Sequence, residues 1–314
     1  MRLHAPVVCS LFVAACATPS APAAPAPSTS LAPLPSVAAA PSASAIASAT
    51  PRPDPSCGAL GCRLYDSAAD ATHAVLETKP LLVAVGEAHA QKGTEGIDSS
   101  AKRFTAEILP LLKGRTSDLL VELLMPPTGC EKKANEVRKR QEAVTQHQAA
   151  SNQNEYLAMG TAAKAMGIVP DLLRPTCKDF DVVTKATGAA AVGTMLEMIA
   201  RLTTAQVKGL LARKDHDPEK AIVVYGGAFH GDPDPPSERA AWSFAADLAP
   251  TVKGRYVAVH FFVPEYISDE DTWKNFVWYE HFDKRAHPDK VTMFRPRPDV
   301  YVIIFAATKK PRDE

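Results

Sequence analysis

Two histidines in this sequence each follow a glycine by three positions, directly after an apolar run. Gly86 precedes His89, and Gly227 precedes His230. In an open α/β sheet, ligands bind in the crevice at the carboxyl ends of the strands. Two histidines placed there by matching turns could converge although they are far apart in the chain. The repeated motif therefore predicts one shared functional site.

Two glutamates accompany these histidines. Glu87 lies two residues before His89, so that both side chains could share one face of an extended turn. Glu122 ends an apolar run, where a buried carboxylate is costly without a partner. A carboxylate beside an imidazole suits a general base with an orienting partner, or two ligands of one metal ion. The alternative for Glu122 is a salt bridge to Arg103 or Arg174.

A sheet is needed to position these residues. Runs rich in Val, Ile and Leu without strict alternation are typical of parallel strands covered on both faces. Helical segments between the runs predict an α/β fold, with a mainly parallel central sheet and helices on both faces. His260 falls inside one run and is predicted to be a core histidine. The predicted strands are 81–85, 119–123, 168–173, 222–225, 256–263 and 300–306.

Helices are predicted where apolar residues recur at helical spacing. One is predicted at 99–112, and the polar segment 131–167 is predicted to be a helical insertion near the carboxyl edge of the sheet. The segment 189–213 is predicted as two helices. Ser237 is predicted to be the N-cap of a helix that ends at residue 248. The aromatic cluster at 273–282 either lines a substrate pocket or simply packs in the core.

The first 56 residues are predicted to lie outside the folded domain, which spans 57–314. Residues 1–15 combine a positive charge with a short apolar core, as signal peptides do. Val-Ala-Ala-Cys at 13–16 resembles a bacterial lipobox, which implies lipidation of Cys16 and a membrane anchor. Ala17 after this cysteine implies the outer membrane, with the domain in the periplasm or at the cell surface; ordinary secretion is the alternative. Residues 16–56, rich in Ala, Pro and Ser, predict a disordered tether.

Charge and cysteine content narrow the function further. The chain has 35 Lys and Arg against 35 Asp and Glu. It has no basic stripe with interleaved aromatics, so no nucleic-acid partner is expected. Cys57, Cys62, Cys130 and Cys177 are an even number in an exported domain, which favours two disulfides. Cys57–Cys62 with Cys130–Cys177 is the simplest of three possible connectivities. A four-thiolate zinc site is the alternative, although no Cys-x-x-Cys spacing supports it.

The two Gly-x-x-His motifs, the intervening Glu122 and a later arginine resemble the Tiki/TraB, ChaN and erythromycin-esterase superfamily over the whole domain after the tether. The opening Val-Gly-Glu-x-His is most similar to the ChaN-like and esterase branches, and the ChaN-like lipoproteins are favoured. The resemblance implies that Glu87, His89, Glu122 and His230 form the site, with Arg174 as the arginine. ChaN-like members bind haem, Tiki members are metal-dependent proteases, and the esterases open a macrolactone.

Two functions are therefore open. In the first, the domain hydrolyses an ester or peptide bond of a peptide or small molecule, using a divalent metal held by His89, His230 and Glu122 to activate water. Glu87 would then move a proton, and in a metal-free variant His89 is the base that Glu87 orients. In the second, the domain is a non-catalytic lipoprotein that binds haem or another ligand through His89, His230 and Arg174. No Gly-x-Ser-x-Gly motif indicates a serine nucleophile.

Overall fold

The computed structural model describes residues 58–145 and 147–308, together with Phe12–Val13. The described residues form an α/β fold around a nine-stranded, mainly parallel sheet. Cys16, the predicted tether, Cys57 and the predicted signal peptide other than Phe12–Val13 lie outside the described residues. None of the helices within the described ranges is both long enough and apolar enough to cross a membrane.

The strands follow the order β1-β4-β6-β3-β7-β9-β8-β2 across the sheet, with β5 also paired to β4. All pairs are parallel except β2 with β8 and β8 with β9. The strands are β1 Phe12–Val13, β2 Arg63–Tyr65, β3 Leu82–Glu87, β4 Thr116–Leu124, β5 Val169–Leu173, β6 Ala221–Gly227, β7 Tyr256–Phe262, β8 Val291–Arg297 and β9 Val300–Ile304.

All six predicted strands are confirmed, with shifts of a few residues at their ends. The strands β2 and β8 were not predicted. They are the antiparallel edge of the sheet, and β8 ends in the polar sequence Arg-Pro-Arg, so neither presents a long apolar run. The strand β1 lies inside the predicted signal peptide and pairs in parallel with Leu123–Leu124. Cleavage before Cys16 would remove this strand from the sheet.

The helices lie between the strands, as the α/β pattern predicts. The predicted helix at 99–112 comprises α2, a π-helical turn at Phe104–Ile108 and a 3-10 turn at Leu109–Leu112. The α-helices are α1 Ala68–Leu76, α2 Ser100–Arg103, α3 Glu131–Thr145, α4 Asn152–Ala165, α5 Cys177–Lys185, α6 Ala189–Leu211, α7 Ala245–Leu248 and α8 Asp271–Lys274.

Two helix predictions are wrong. The segment 189–213 is one helix of 23 residues, α6, because no Pro or Gly interrupts residues 194–208 and buried residues continue along one side. The predicted helix at 237–248 is a 3-10 turn, Ser237–Trp242, followed by the short α7. Ser243 separates them: its backbone is extended, and its hydroxyl donates to the Asp232 carbonyl at 2.6 Å. Ser237 is the first residue of the 3-10 turn rather than an N-cap.

The sheet has two buried faces, named here by adjacent residues of β6. The Tyr225 face carries the odd-numbered residues of β3, β4 and β6 and is covered by α1, the stretch from α2 to residue 112, and α4. The Val224 face carries the even-numbered residues of β3, β4 and β6 and is covered by α3, α5, α6 and α7. Side chains alternate along a strand, so neighbouring residues belong to different layers.

The segment predicted as a helical insertion forms α3 and α4, which pack on different faces of the sheet. Val137 of α3 is buried with the Val224 face, whereas Tyr156 of α4 is buried with the Tyr225 face. The link between them pairs with the chain just after His89, where Ala149 N–H donates to the Ala90 carbonyl at 2.8 Å. The predicted disulfide Cys130–Cys177 is confirmed, with 5.5 Å between the Cα atoms, and ties the start of α3 to the start of α5.

Candidate functional site

Glu87, the last residue of β3, is the centre of a buried hydrogen-bond network on the Tyr225 face. The Tyr225 hydroxyl donates to Glu87 Oε2 at 2.6 Å, and the Tyr156 hydroxyl donates to Oε1 at 2.7 Å. His89 Nδ1 lies 2.8 Å from the same Oε1. Three donors on one carboxylate compensate for its removal from water.

The two tyrosines stay protonated in this site. Burial, and secondarily the neighbouring Glu87 carboxylate, raise the pKa of Tyr156 and of Tyr225 well above the ordinary value of 10.0. Both phenols therefore remain hydrogen-bond donors across the pH range in which proteins are stable. Their hydrogen bonds hold the Glu87 carboxylate in a single orientation.

The contacts of Glu87 determine the tautomer of the neighbouring imidazole. An ionised carboxylate can only accept, so Nδ1 of His89 carries the proton that points at Glu87. In the neutral ring the proton-accepting nitrogen is then Nε2. This is the arrangement in which a carboxylate orients a histidine base.

Glu87 and His89 line a cavity of about 510 Å³ at the carboxyl end of β3. One wall is aromatic, and the other lining side chains are largely polar. A cavity of this size with a few convergent polar groups is typical of a small-molecule site. The aromatic wall consists of Phe229, Phe262, Tyr266, Trp273 and Phe276. The polar lining, besides Glu87 and His89, consists of Gln91, His147, Ser268, Glu270 and Thr272.

The second histidine forms a different pair. His230 Nε2 lies 3.4 Å from Glu122 Oε1, and His230 Nδ1 lies 2.7 Å from the Trp242 carbonyl, to which it donates. Glu122 Oε2 accepts from Gly227 N–H at 2.8 Å. Both side chains are buried against a void of only about 10 Å³, space for one water molecule.

Close approach explains Gly86 of the first motif and Gly226, which directly precedes the glycine of the second motif. A Cβ atom on Gly86 would lie 2.6 Å from the Ala228 Cα and 2.7 Å from His260 Nδ1. A Cβ atom on Gly226 would lie 2.9 Å from the Glu122 Cβ and would overlap the Glu122 carboxylate. Real Cβ atoms do not approach this closely, so both positions require glycine for space.

The contacts of the four predicted site residues fall into two pairs. The Glu87–His89 pair lies on the Tyr225 face, whereas the Glu122–His230 pair lies on the Val224 face, among residues such as Ile199 of α6. The cause is the alternation of side chains along a strand. Strands β3 and β4 both pair with β6 so that odd-numbered residues share one face and even-numbered residues share the other. Residues 87 and 122 therefore point to opposite faces. The two carboxylates therefore lie on opposite faces of the sheet, and the predicted shared pocket stays a prediction.

Neither candidate arginine contacts these glutamates. Arg174, predicted to bind a cofactor, is an exposed residue whose guanidinium lies 3.0 Å from Asp171 Oδ1. Arg103, the other predicted partner of Glu122, donates instead to the Ala306 carbonyl at 2.7 Å. His260 is a buried strand residue, as predicted, and burial lowers its pKa from 6.5 to about 4.

The predicted metal centre stays a prediction, and the described residues give it no support. Its ligands His89, His230 and Glu122 are divided between the two pairs, and no cluster of three or more His, Cys, Asp or Glu that could hold an ion occurs within the described ranges. For haem, His89 is an axial ligand type that the iron takes, and the aromatic wall of the cavity is a surface that a flat ring could contact.

Two residues of the site escaped prediction. Tyr225 lies two positions before Gly227, at the end of the predicted strand, so its approach to the carboxyl edge was readable from the sequence. Tyr156 lies in a polar helix with sparse apolar positions, and nothing in its sequence context indicates a contact with Glu87. Only the packing of α4 on the Tyr225 face reveals this contact.

No protein-family model matches this sequence, and neither a curated protein nor a solved structure is detectably similar to it. The resemblance to the Tiki/TraB, ChaN and erythromycin-esterase superfamily therefore stays a prediction. The fold class, by contrast, is shown by the structure itself: a mainly parallel α/β sheet with helices on both faces.

Proposed function

We propose that this domain hydrolyses ester or peptide bonds, with His89 as the general base and Glu87 as the residue that orients it. The observation that carries the proposal is the buried Glu87–His89 contact of 2.8 Å beside a cavity of about 510 Å³. Structural histidines are common, but a carboxylate fixed by two tyrosines and aimed at an imidazole is the geometry of a histidine base.

The reaction starts with a water molecule placed between His89 and the substrate carbonyl. As the water oxygen bonds to the carbonyl carbon, His89 Nε2 takes a proton and the π electrons move to the carbonyl oxygen. The imidazolium that results is stabilised by the Glu87 carboxylate. When the tetrahedral intermediate collapses, the bond to the leaving oxygen or nitrogen breaks and His89 returns the proton to that atom.

The test is hydrolysis of p-nitrophenyl acetate, p-nitrophenyl butyrate and a mixture of peptide p-nitroanilides by the purified protein. Loss of a general base reduces kcat by about 10²–10⁴-fold, so we expect this loss in His89→Ala and a large part of it in Glu87→Gln. His73→Ala is the matched control, because His73 is an exposed histidine paired with Glu77 on α1. Added imidazole should restore part of the activity of His89→Ala.

Three outcomes would contradict the proposal. The first is that no substrate is hydrolysed. The second is that His89→Ala hydrolyses at the rate of the parent protein. The third is that EDTA abolishes hydrolysis and zinc, manganese or cobalt restores it, which would favour the metal-dependent mechanism. Metal analysis after purification without chelators accompanies this last measurement.

A second candidate function is the binding of haem without catalysis, supported by the aromatic wall that faces His89 in the cavity. His89 would hold the iron, and the rings of Phe229 and Phe276 would contact the porphyrin. A haem titration followed by visible absorbance tests this candidate. A Soret shift that is lost in His89→Ala supports it, and an unchanged Soret band contradicts it.

The anchor at Cys16 and the position at the outer membrane belong to the same proposal. They rest on the sequence before residue 57 and would place the cavity on a tether at the membrane surface. Mass spectrometry of the N-terminal peptide tests them. A lipid-modified Cys16 supports the anchor, whereas an intact peptide that starts at Met1 contradicts it.

A further inference from the structure

Four of the five rings in the aromatic wall of the cavity come from three separate segments. Phe229 follows β6, Phe262 ends β7, and Trp273 and Phe276 lie in and just after α8. The Phe229 and Phe276 rings are nearly parallel, at 5° with centroids 6.2 Å apart. The Phe262 and Trp273 rings meet edge to face, at 82° and 5.3 Å.

Burial differs across this wall. Phe262 and Trp273 are 1% and 8% exposed and are held in the core. Phe229 and Phe276 are only partly buried although both line the cavity. The inner pair therefore fixes the wall, and the outer pair keeps ring surface that a bound molecule can cover. Aromatic rings favour offset-stacked or edge-to-face contact with another ring.

The charges of the cavity point to the same kind of ligand. Its lining, as far as the chain is described, includes the carboxylates of Glu87 and Glu270 but no Lys or Arg. A negatively charged group would meet these two carboxylates inside the cavity, whereas the guanidinium of Arg239 covers the Phe229 ring at 4.8 Å from its centroid without lining the cavity. The cavity is thus suited to an uncharged group.

From these observations we infer that the substrate carries an uncharged aromatic ring on the acyl side of the scissile bond, and that Phe229 and Phe276 bind this ring. The inference rests on the proposed hydrolase function, since it assigns a substrate class to the same cavity. It adds that a saturated ring of equal size binds less well and that a carboxylated ring is rejected.

The experiment compares ethyl phenylacetate, ethyl cyclohexylacetate and ethyl 4-carboxyphenylacetate in a pH-stat. A methylene separates each ring from the carbonyl, so the intrinsic reactivities of the three esters are close. We expect kcat/KM for the phenyl ester to exceed that for the cyclohexyl ester by about 3- to 10-fold, the range for one favourable aromatic pair. The carboxylated ester should be slower than the phenyl ester by roughly tenfold or more.

Phe276→Leu keeps an apolar side chain but removes the ring, and it should bring the phenyl-to-cyclohexyl ratio close to one. Phe282→Leu is the matched control: Phe282 packs against Trp278 in the same aromatic cluster but does not line the cavity. It should leave the ratio unchanged. Thermal melting of both variants confirms that they are folded.

Binding of phenylacetamide and cyclohexylacetamide to His89→Ala, followed by tryptophan fluorescence, separates the two proposals. Tighter binding of the phenyl compound supports the ring site even if no ester is hydrolysed. Absence of ester hydrolysis would contradict only the hydrolase proposal. Two results would overturn the ring site alone, provided that hydrolysis depends on His89. The first is an equal kcat/KM for the phenyl and cyclohexyl esters in the parent protein. The second is a phenyl-to-cyclohexyl ratio that Phe276→Leu leaves unchanged.

Discussion

The Tyr225 hydroxyl donates a hydrogen bond of 2.6 Å to Glu87 Oε2 across the adjacent strands β6 and β3. In the register of these strands Tyr225 lies opposite Val85, so its side chain reaches two residues along β3 to meet the carboxylate. The ring itself packs against Phe104, with centroids 4.8 Å apart. The oxygen and the ring of Tyr225 therefore serve separate purposes.

Tyr225→Phe removes the oxygen and keeps the ring. We expect the free energy of unfolding to fall by about 1–3 kcal/mol, because a buried carboxylate loses a donor. We expect kcat for ester hydrolysis to fall on the order of tenfold, as is usual when a residue that orients a functional side chain is lost. Tyr256→Phe is the control, because its buried hydroxyl donates to the Gly231 carbonyl at 2.6 Å, away from Glu87. Equal kcat values for the two variants would contradict the role of Tyr225.

Gly226→Ala should destabilise the protein by about 1–3 kcal/mol, because the new methyl group would overlap the Glu122 side chain in a well-packed region. Adding Glu122→Ala should relieve the overlap with the carboxylate while the approach of the two Cβ atoms remains, so the double variant should lose less stability than the sum of the single variants. Gly209→Ala is the matched control: Gly209 is an exposed residue of α6 with open space around its Cβ position. That change should stabilise by about 0.5–1 kcal/mol. Urea denaturation of the parent protein, the two single variants, the double variant and Gly209→Ala gives these free energies of unfolding. If the losses of the two single variants simply add in the double variant, the contact between residues 226 and 122 is refuted.

His260 should make stability depend on pH below neutrality. Burial lowers its pKa from 6.5 to about 4. Between these values the unfolded chain binds a proton that the native state does not, so the free energy of unfolding falls as the pH drops from about 6.5 to 4. The pKa difference corresponds to roughly 3 kcal/mol. Above pH 6.5 the histidine is neutral in both states and contributes no pH dependence.

His260→Asn cannot titrate in this range, so the variant should lose less stability on acidification than the parent protein. His73→Asn, which changes an exposed histidine, should show the pH dependence of the parent. Urea denaturation at pH 7, 6, 5 and 4 gives the comparison. Parallel curves for the parent protein and His260→Asn would show that the native state accommodates the protonated ring.

The disulfide Cys130–Cys177 joins residues 47 positions apart. Closing a loop of this length stabilises the native state by about 4 kcal/mol in the chain-entropy description. The double variant Cys130→Ser/Cys177→Ser should lose most of this amount in urea denaturation. A loss below about 1 kcal/mol would mean that α3 and α5 stay close together in the unfolded chain even without the disulfide.

Most of the sheet was predictable from the sequence, and the reason is local. Parallel strands buried on both faces appear as runs of Val, Ile and Leu, so β3, β4, β6, β7 and β9 were found. The edge strand β8 carries arginines and a proline, and β2 has only three residues. The interruption at Ser243 was missed because it depends on hydrogen bonds to the His230 and Asp232 carbonyls, which sequence spacing does not reveal.

The site was predictable only in part. The sequence identified Glu87, His89, Glu122 and His230 as buried polar residues at strand ends, and all four are buried there. It could not assign them to faces, because this assignment requires the register between β3, β6 and β4, which is set in three dimensions. The contacts of the four residues fall into two pairs on opposite faces of the sheet, which the sequence did not indicate, and the contact of Tyr156 was invisible for the same reason.

The two tyrosines that hold Glu87 belong to different parts of the architecture. Tyr225 is built into the central sheet, whereas Tyr156 lies on α4, outside it. Substitutions on α4 can consequently weaken or strengthen one donor to the carboxylate, and so change how firmly Glu87 orients His89, without disturbing any strand. The segment between β4 and β5, which contains α4, can thus change in sequence and alter the chemistry of the site while the central sheet stays the same.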